Sequence, residues 1–172
     1  PINSLCLAIA SEATFIARTL DSIPAHMGSV LEQAMKHKGV SFVEIYQNCN
    51  IFNDKFHEPV TGREERDDRM VFLEHGKPLI FGKKKDKAIH IKGFHLEVVD
   101  YKEGMDTSEL LIHNQSDPDP TYAYLLTQMK FPAMPVPFGI FRQIFKPTYD
   151  EMMNAQIQDA VPPECRILRQ AA

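Results

Sequence analysis

The chain reads as an α/β fold built on a parallel sheet, followed by a less regular extension of small β pieces and helices. Three observations predict it. Helical and strand-like segments alternate over residues 2–46, in the order helix, strand, helix, strand. The run VSFVEIY at 40–46 is almost continuously apolar, as in a parallel strand covered on both faces. Between residues 77 and 99 the texture changes to short β-favouring pieces separated by lysine-rich or glycine turns, the pattern of a small meander.

Residues 2–10 place Leu5, Ile9 and small alanines on one helical face, and 14–18 then favour β structure. The second helix is better marked. Pro24 suits a first turn, Met27, Val30, Leu31, Ala34 and Met35 recur at helical spacing, and Gly39 follows Lys36, His37 and Lys38, so both ends carry stop signals. Parallel strands joined this way take right-handed crossovers, and open α/β sheets bind ligands beyond the carboxyl ends of their strands. That rule directs attention to IYQNCNIFND at 45–54. Beyond it, REERDDR at 63–69 reads as a solvated helix face feeding a strand at 70–73. Pieces at 78–81, 88–92 and 94–99 form the meander. Lys83, Lys84, Lys85 and Lys87 fall at its first turn, where they read as a charged tip or as a contact for phosphate or an acidic protein. Asp119 before Pro120 opens a helix to about Lys130, with Tyr122, Leu125, Leu126 and Met129 on one face. FPAMPVPFGIF follows as a constrained linker containing a last strand at 138–141. Thr148 with Glu151 makes a capping box for a terminal helix at 149–160, which Pro162 and Pro163 stop.

With 172 residues, 44% of them hydrophobic and 24% charged, the chain is an ordinary globular one, and a net charge of −4 implies no nucleic-acid partner. PINSLCLAIA has no basic leader and turns polar at Ser11 and Glu12, so neither a signal peptide nor a membrane span is expected, and the chain reads as cytoplasmic. No Met precedes Pro1 and helical pattern starts at once, as in a piece of a longer polypeptide.

Three widely spaced cysteines, Cys6, Cys49 and Cys165, argue for separate thiols rather than a disulfide framework. Cys6 sits in an apolar helix and Cys165 beyond two prolines, where packing or incidental roles are the natural reading. Cys49 differs. It ends an apolar strand among Gln47, Asn48, Asn50 and Asn53, whose amides are able to donate to a thiolate or to cluster sulfur. A buried packing cysteine is the commoner identity of such a residue, and a metal ligand or reactive thiol is the alternative. There is no CxxC, and His57 is not at finger-like spacing from Cys49, so a self-contained metal site is not expected. The seven histidines show no repeated spacing, and no GxSxG, P-loop, HExxH or dinucleotide fingerprint occurs.

Five segments carry a resemblance that these rules do not reach: EATFIARTLDS at 12–22, FVEIYQNCNIFND at 42–54, LEHGKPLIFG at 73–82, NQSDPDPTYAYLL at 114–126 and PFGIFRQIFKPTYDEMM at 137–153. Together, and in this order, they resemble the β subunit of 2-oxoacid:ferredoxin oxidoreductases, most closely its 2-oxoglutarate-type branch. The resemblance implies an enzyme that uses thiamine diphosphate and Mg2+ to decarboxylate a 2-oxoacid oxidatively with coenzyme A, passing electrons through a four-iron four-sulfur (4Fe-4S) cluster to ferredoxin. It implies a pairing with an α subunit and assigns Cys49 to the fourth cluster-ligand position, so that Cys49 is the expected cofactor-binding and metal-ligating residue. The family's GDG motif and its first three cluster cysteines are missing from this sequence, and in the family they precede the matched region. The chain therefore resembles the carboxyl-terminal half of that subunit: 1–54 the end of the thiamine pyrophosphate-binding domain, 55–172 its C-terminal extension. Alone it is expected to be inactive, with strands 14–18 and 40–46 lacking neighbours. A module that docks the α chain or ferredoxin is the second reading, and a fragment of a nonoxidative thiamine enzyme in which Cys49 merely packs is the third.

Overall fold

A computed structural model describes residues 2–160. Pro162, Pro163 and Cys165 lie outside the described residues. The first helix, α1 (Ser4–Ala10), begins where the Asn3 side chain accepts from the Cys6 amide, and it buries Leu5 and Ala8. Strand β1 (Phe15–Leu20) follows and is buried along its whole length. Helix α2 (Pro24–Lys36) carries the expected proline in its first turn, but Ile23 precedes it without a side-chain cap. It returns the chain to β2 (Ser41–Tyr46), parallel to β1 from Phe15↔Ser41 to Leu20↔Tyr46.

Two short helices, α3 (Glu58–Thr61) and α4 (Arg66–Arg69), lead into β3 (Met70–Leu73). The meander then runs through β4 (Ile80–Phe81), β5 (Lys87–Lys92) and β6 (His95–Asp100), antiparallel throughout. Asp119 caps α5 (Pro120–Thr127) through the Thr121 amide, as its position before Pro120 predicts. After β7 (Val136–Gln143) comes α6 (Tyr149–Ala160). Its capping box is formed: the Thr148 amide donates to Glu151 at 2.9 Å and the Glu151 amide to Thr148 Oγ1 at 3.4 Å. None of the α6 side chains is buried.

The main sheet has the order β2-β1-β7-β3. Strand β7 was expected as a short strand within a linker; instead it is a long central strand, antiparallel to β1 and parallel to β3. The sheet is therefore mixed, and β1 does not lack a neighbour. The run at 40–46 packs Phe42 toward one core cluster and Val43 toward the other, but it is only partly buried. As the edge strand β2 it leaves Ile45 42% exposed, because a continuous apolar run does not distinguish a central strand from an edge one.

Alternation along β1 sorts the core. Phe15 and Ala17 face Val30 of α2, whereas Ile16 packs with Leu5, Leu126 and Phe141 on the opposite side, beneath α1, α5 and the meander. Phe141 and Phe138 are fully buried, each worth ~1.5–3 kcal/mol of apolar burial. A third cluster of Leu20, Met70, Val136 and Phe138 gathers at one end of the sheet, with Tyr46 and Val60 against it. Because β3 runs opposite to β2, the end of β2 and the start of β3 meet there. No helix among the described residues is long and apolar enough to cross a membrane.

Candidate functional site

The segment after β2 leaves the sheet at Tyr46 and comes back to it at His57. The two rings stack with centroids 4.1 Å apart and an interplanar angle of 23°, closing a compact loop whose ends touch. Tyr46 is itself fixed: its ring meets Phe138 edge-on at 5.3 Å, and the Arg18 guanidinium lies 5.0 Å from its centroid. Arg18 is buried at mid-sheet and held by Glu44, with Nε to Oε2 at 2.6 Å; the Ser4 hydroxyl donates to the other Glu44 oxygen. Burial lowers the pKa of His57, the Glu44 carboxylate opposing this and the Arg18 cation adding to it.

Within the loop, Asn53 N donates to Cys49 O at 3.1 Å, so residues 49–53 form a tight turn. Backbone amides of the turn, that of Phe52 first and then that of Ile51, hold the Cys49 thiol below the usual range. Backbone donors near the sulfur favour the thiolate, the form that ligates metal. The asparagine side chains do something else. Asn48 Nδ2 donates to Asn50 Oδ1 at 2.6 Å and to Asp54 Oδ1 at 2.9 Å, while Asn48 Oδ1 accepts from the Lys55 amide at 2.8 Å. They brace the loop rather than donate to sulfur. Lys55 takes a left-handed φ of 61° to complete the return.

Cys49 is exposed, and so are Ile51 at 85% and Phe52 at 90%. The thiol thus sits in the open beside two apolar side chains, unlike the buried packing cysteine that composition favours. Cys6 is half-buried and bonded to Thr127 Oγ1 at 3.0 Å and to Gln128 Nε2 at 3.3 Å, which fits a packing role. Cys165 is outside the described residues. Among the described residues no group of three or more His, Cys, Asp or Glu side chains converges to hold a metal. His113, which the sequence placed among scattered histidines, is fully buried between Tyr122 and β7. Sequence reasoning also missed Arg18, although an arginine inside the apolar run FIARTL is a visible signal.

At the other side of the same sheet end, α4 carries the meander's first turn. Gly82 N donates to Asp67 O at 2.8 Å, and Lys87 Nζ reaches Asp68 at 3.4 Å. Gly82 has a φ of 97°, and a Cβ there would meet Asp86 Oδ1 at 2.6 Å, so this tip requires glycine.

No family model matches the chain. Among curated proteins, the 2-oxoglutarate oxidoreductase subunit KorB of Mycobacterium tuberculosis is 35% identical over 158 residues, which are 91% of this chain and 42% of that protein. The 2-oxoacid:ferredoxin oxidoreductase subunit beta of Saccharolobus solfataricus is 38% identical over 53 residues, 31% of this chain and 17% of that one. A solved structure of the 2-oxoglutarate:ferredoxin oxidoreductase from Magnetococcus marinus, with 2-oxoglutarate, coenzyme A and succinyl-CoA bound, matches with a TM-score of 0.54 at 19% identity. It covers 100% of this chain and 45% of that chain, a likeness of fold. By sequence, the chain is similar to the β subunits of the 2-oxoacid:ferredoxin oxidoreductases, and it spans less than half the length of the relatives it matches.

Proposed function

We propose that this chain serves in the β subunit of a cytoplasmic 2-oxoacid:ferredoxin oxidoreductase that converts 2-oxoglutarate and coenzyme A into the acyl-CoA and carbon dioxide. The observation that carries the reading is the 35% identity with the KorB subunit across 91% of the chain, which includes the Cys49 loop region of the resemblance. In the assembled enzyme the α subunit and ferredoxin are its protein partners. When bound, a 4Fe-4S cluster supplies a one-electron acceptor between the thiamine-borne chemistry and ferredoxin. This chain's part is to present Cys49 as a thiolate. The amides of Phe52 and Ile51 stabilise that charge, and the Tyr46–His57 stack sets the position of the loop. Thiamine diphosphate and Mg2+ find no GDG motif in this sequence, so no residue here is assigned to them.

The test is Cys49→Ser and Cys49→Ala in the intact heteromeric enzyme, with iron content, the charge-transfer absorbance of the cluster and ferredoxin reduction as readouts. Loss of iron and of ferredoxin reduction is expected. Unchanged iron and activity in both variants would sink the ligand assignment. A docking role for the loop is also favoured by one observation, the exposure of Ile51, Phe52 and Phe56 in one stretch beside the sulfur. The two roles are compatible, since a thiol shared with a larger site is covered by whatever completes that site.

A further inference from the structure

We propose that the turn bearing Lys83, Lys84 and Lys85 is a docking surface for a small acidic electron-transfer protein, an inference that rests on the function proposed above. Three consecutive exposed lysines project there, and among the described residues none of them makes an ion pair. The acids nearby are engaged differently. Asp68 is matched by Lys87, Asp67 by Arg66 and Glu74 by Lys77, while Asp86 is turned in against Gly82. The tip therefore presents three lysines that make no ion pair among the described residues, lining a groove of about 820 Å³ that also carries Lys77, Lys102, Asp86 and Glu103.

The tip is also held in place, which a merely solvated hairpin end does not need. Lys85 N donates to Gly82 O at 2.9 Å, Gly82 N to Asp67 O at 2.8 Å and Tyr101 N to Asp86 O at 2.7 Å, so both flanks of the turn are bonded to neighbouring segments. Lys85 itself adopts a left-handed φ of 51°, where a glycine or asparagine is the easier residue. Its location is the second argument. Through Asp67 and Asp68 the turn is fastened to α4, immediately before Met70, and Met70 joins Leu20 and Val136 in the apolar cluster against which Tyr46 packs. The lysines stand on the β4–β5 turn of the second sheet, which Asp67 fastens beside the start of β3; that start lies at the same end of the main sheet as Tyr46, where β2 and β3 are three strands apart, ~15 Å laterally at the usual strand spacing. A globular acidic protein seated on the lysines lies over the end of the sheet from which Cys49 projects. Complementary charge of this kind acts on encounter rate and orientation and is screened by salt.

The experiment uses the intact enzyme with Lys83, Lys84 and Lys85 all changed to Gln, and a second version with all three changed to Arg. Binding of purified ferredoxin is measured calorimetrically at ionic strengths of about 0.01 M and about 0.5 M. The Gln variant is expected to bind about 10-fold more weakly at low salt, with the difference vanishing at high salt, while the Arg variant binds like the parent. The Michaelis constant for ferredoxin is expected to rise in step, with dye-coupled turnover and the Michaelis constant for coenzyme A unchanged. Equal ferredoxin binding by the Gln variant and the parent at low salt overturns the proposal. So does a raised constant for coenzyme A with ferredoxin binding intact, which marks a phosphate-binding turn instead. If the parent shows no dye-coupled oxidation of 2-oxoglutarate, the functional reading fails, and the calorimetric comparison still decides the docking surface by itself.

Discussion

The buried histidine gives the sharpest test of the fold. His113 is fully buried, and its Nε2 lies 2.8 Å from the Ile140 carbonyl of β7. A carbonyl only accepts, so Nε2 carries the proton; Nδ1 then accepts from the Tyr122 hydroxyl at 2.9 Å. The neutral ring is fully used. Burial pushes its pKa down to about 4, with the Ile140 carbonyl opposing that shift and the His75 charge adding to it. In the unfolded chain the ordinary value of 6.5 returns. Between these two values the unfolded state binds a proton that the folded state refuses, so stability rises with pH across the window. It is complete above about pH 6.5 and falls as the pH drops toward about 4, by about 3 kcal/mol at full effect. His113→Gln keeps a donor for Ile140 and cannot titrate. Urea unfolding of parent and variant at about pH 7 and about pH 4 isolates the contribution, because other titrating groups cancel in the difference. The parent is expected to lose about 3 kcal/mol more than the variant over that interval. Parallel pH curves would refute the reasoning, since they mean that His113 is charged in the folded state or exposed to solvent.

Two further outcomes follow from local geometry. Gly139→Ala places a Cβ 2.8 Å from the Leu73 carbonyl of the paired strand at a φ of 132°, and is expected to cost about 3 kcal/mol or more, read as a drop of at least about 6 °C in melting temperature. The lowered pKa of Cys49 predicts faster alkylation by iodoacetamide at neutral pH than at Cys6, whose sulfur is half-buried and hydrogen-bonded; peptide mass spectrometry after timed quenching measures both, and equal rates contradict the thiolate.

Local order was legible where single residues dictate it. Pro24, the Asp119–Pro120 pair and the Thr148–Glu151 box mark their helix starts as the residue types require, and glycine and lysine turns mark the meander. What was not legible was pairing across distance. VPFGIFRQ has a proline and a glycine in its middle, and nothing in its composition says that it enters between β1 and β3. Its Gly139 is there because the Leu73 backbone comes too close for a side chain, a reason visible only once the strands are together. Arg18 is similar: its burial makes sense only with Glu44, 26 positions away, already alongside. At the candidate site the cysteine itself stood out, but its sulfur is served by backbone amides, and residue types carry no record of where backbone amides point.

That last difference bears on how the loop would work. Asparagine side chains donating to sulfur would have to be held by something else, whereas amides of a five-residue turn are held by the turn that also carries the cysteine. Here Asn48 supplies the holding, tying Asn50, Asp54 and the Lys55 amide together. The base of the loop is stacked on Tyr46, which rests on Phe138 of the interior strand β7 and under the buried Arg18. Rigidity of this sort is unnecessary for a cysteine that only packs, and a packing cysteine would not be exposed. On the function proposed above it suits a single ligand whose companions come from elsewhere: the thiolate has to stand at a fixed point, with its charge already stabilised, before the rest of the site arrives. The exposed Ile51 and Phe52 then have a purpose in the same event, since closing the site over them removes water from beside the sulfur and buries the apolar surface that the isolated loop leaves open.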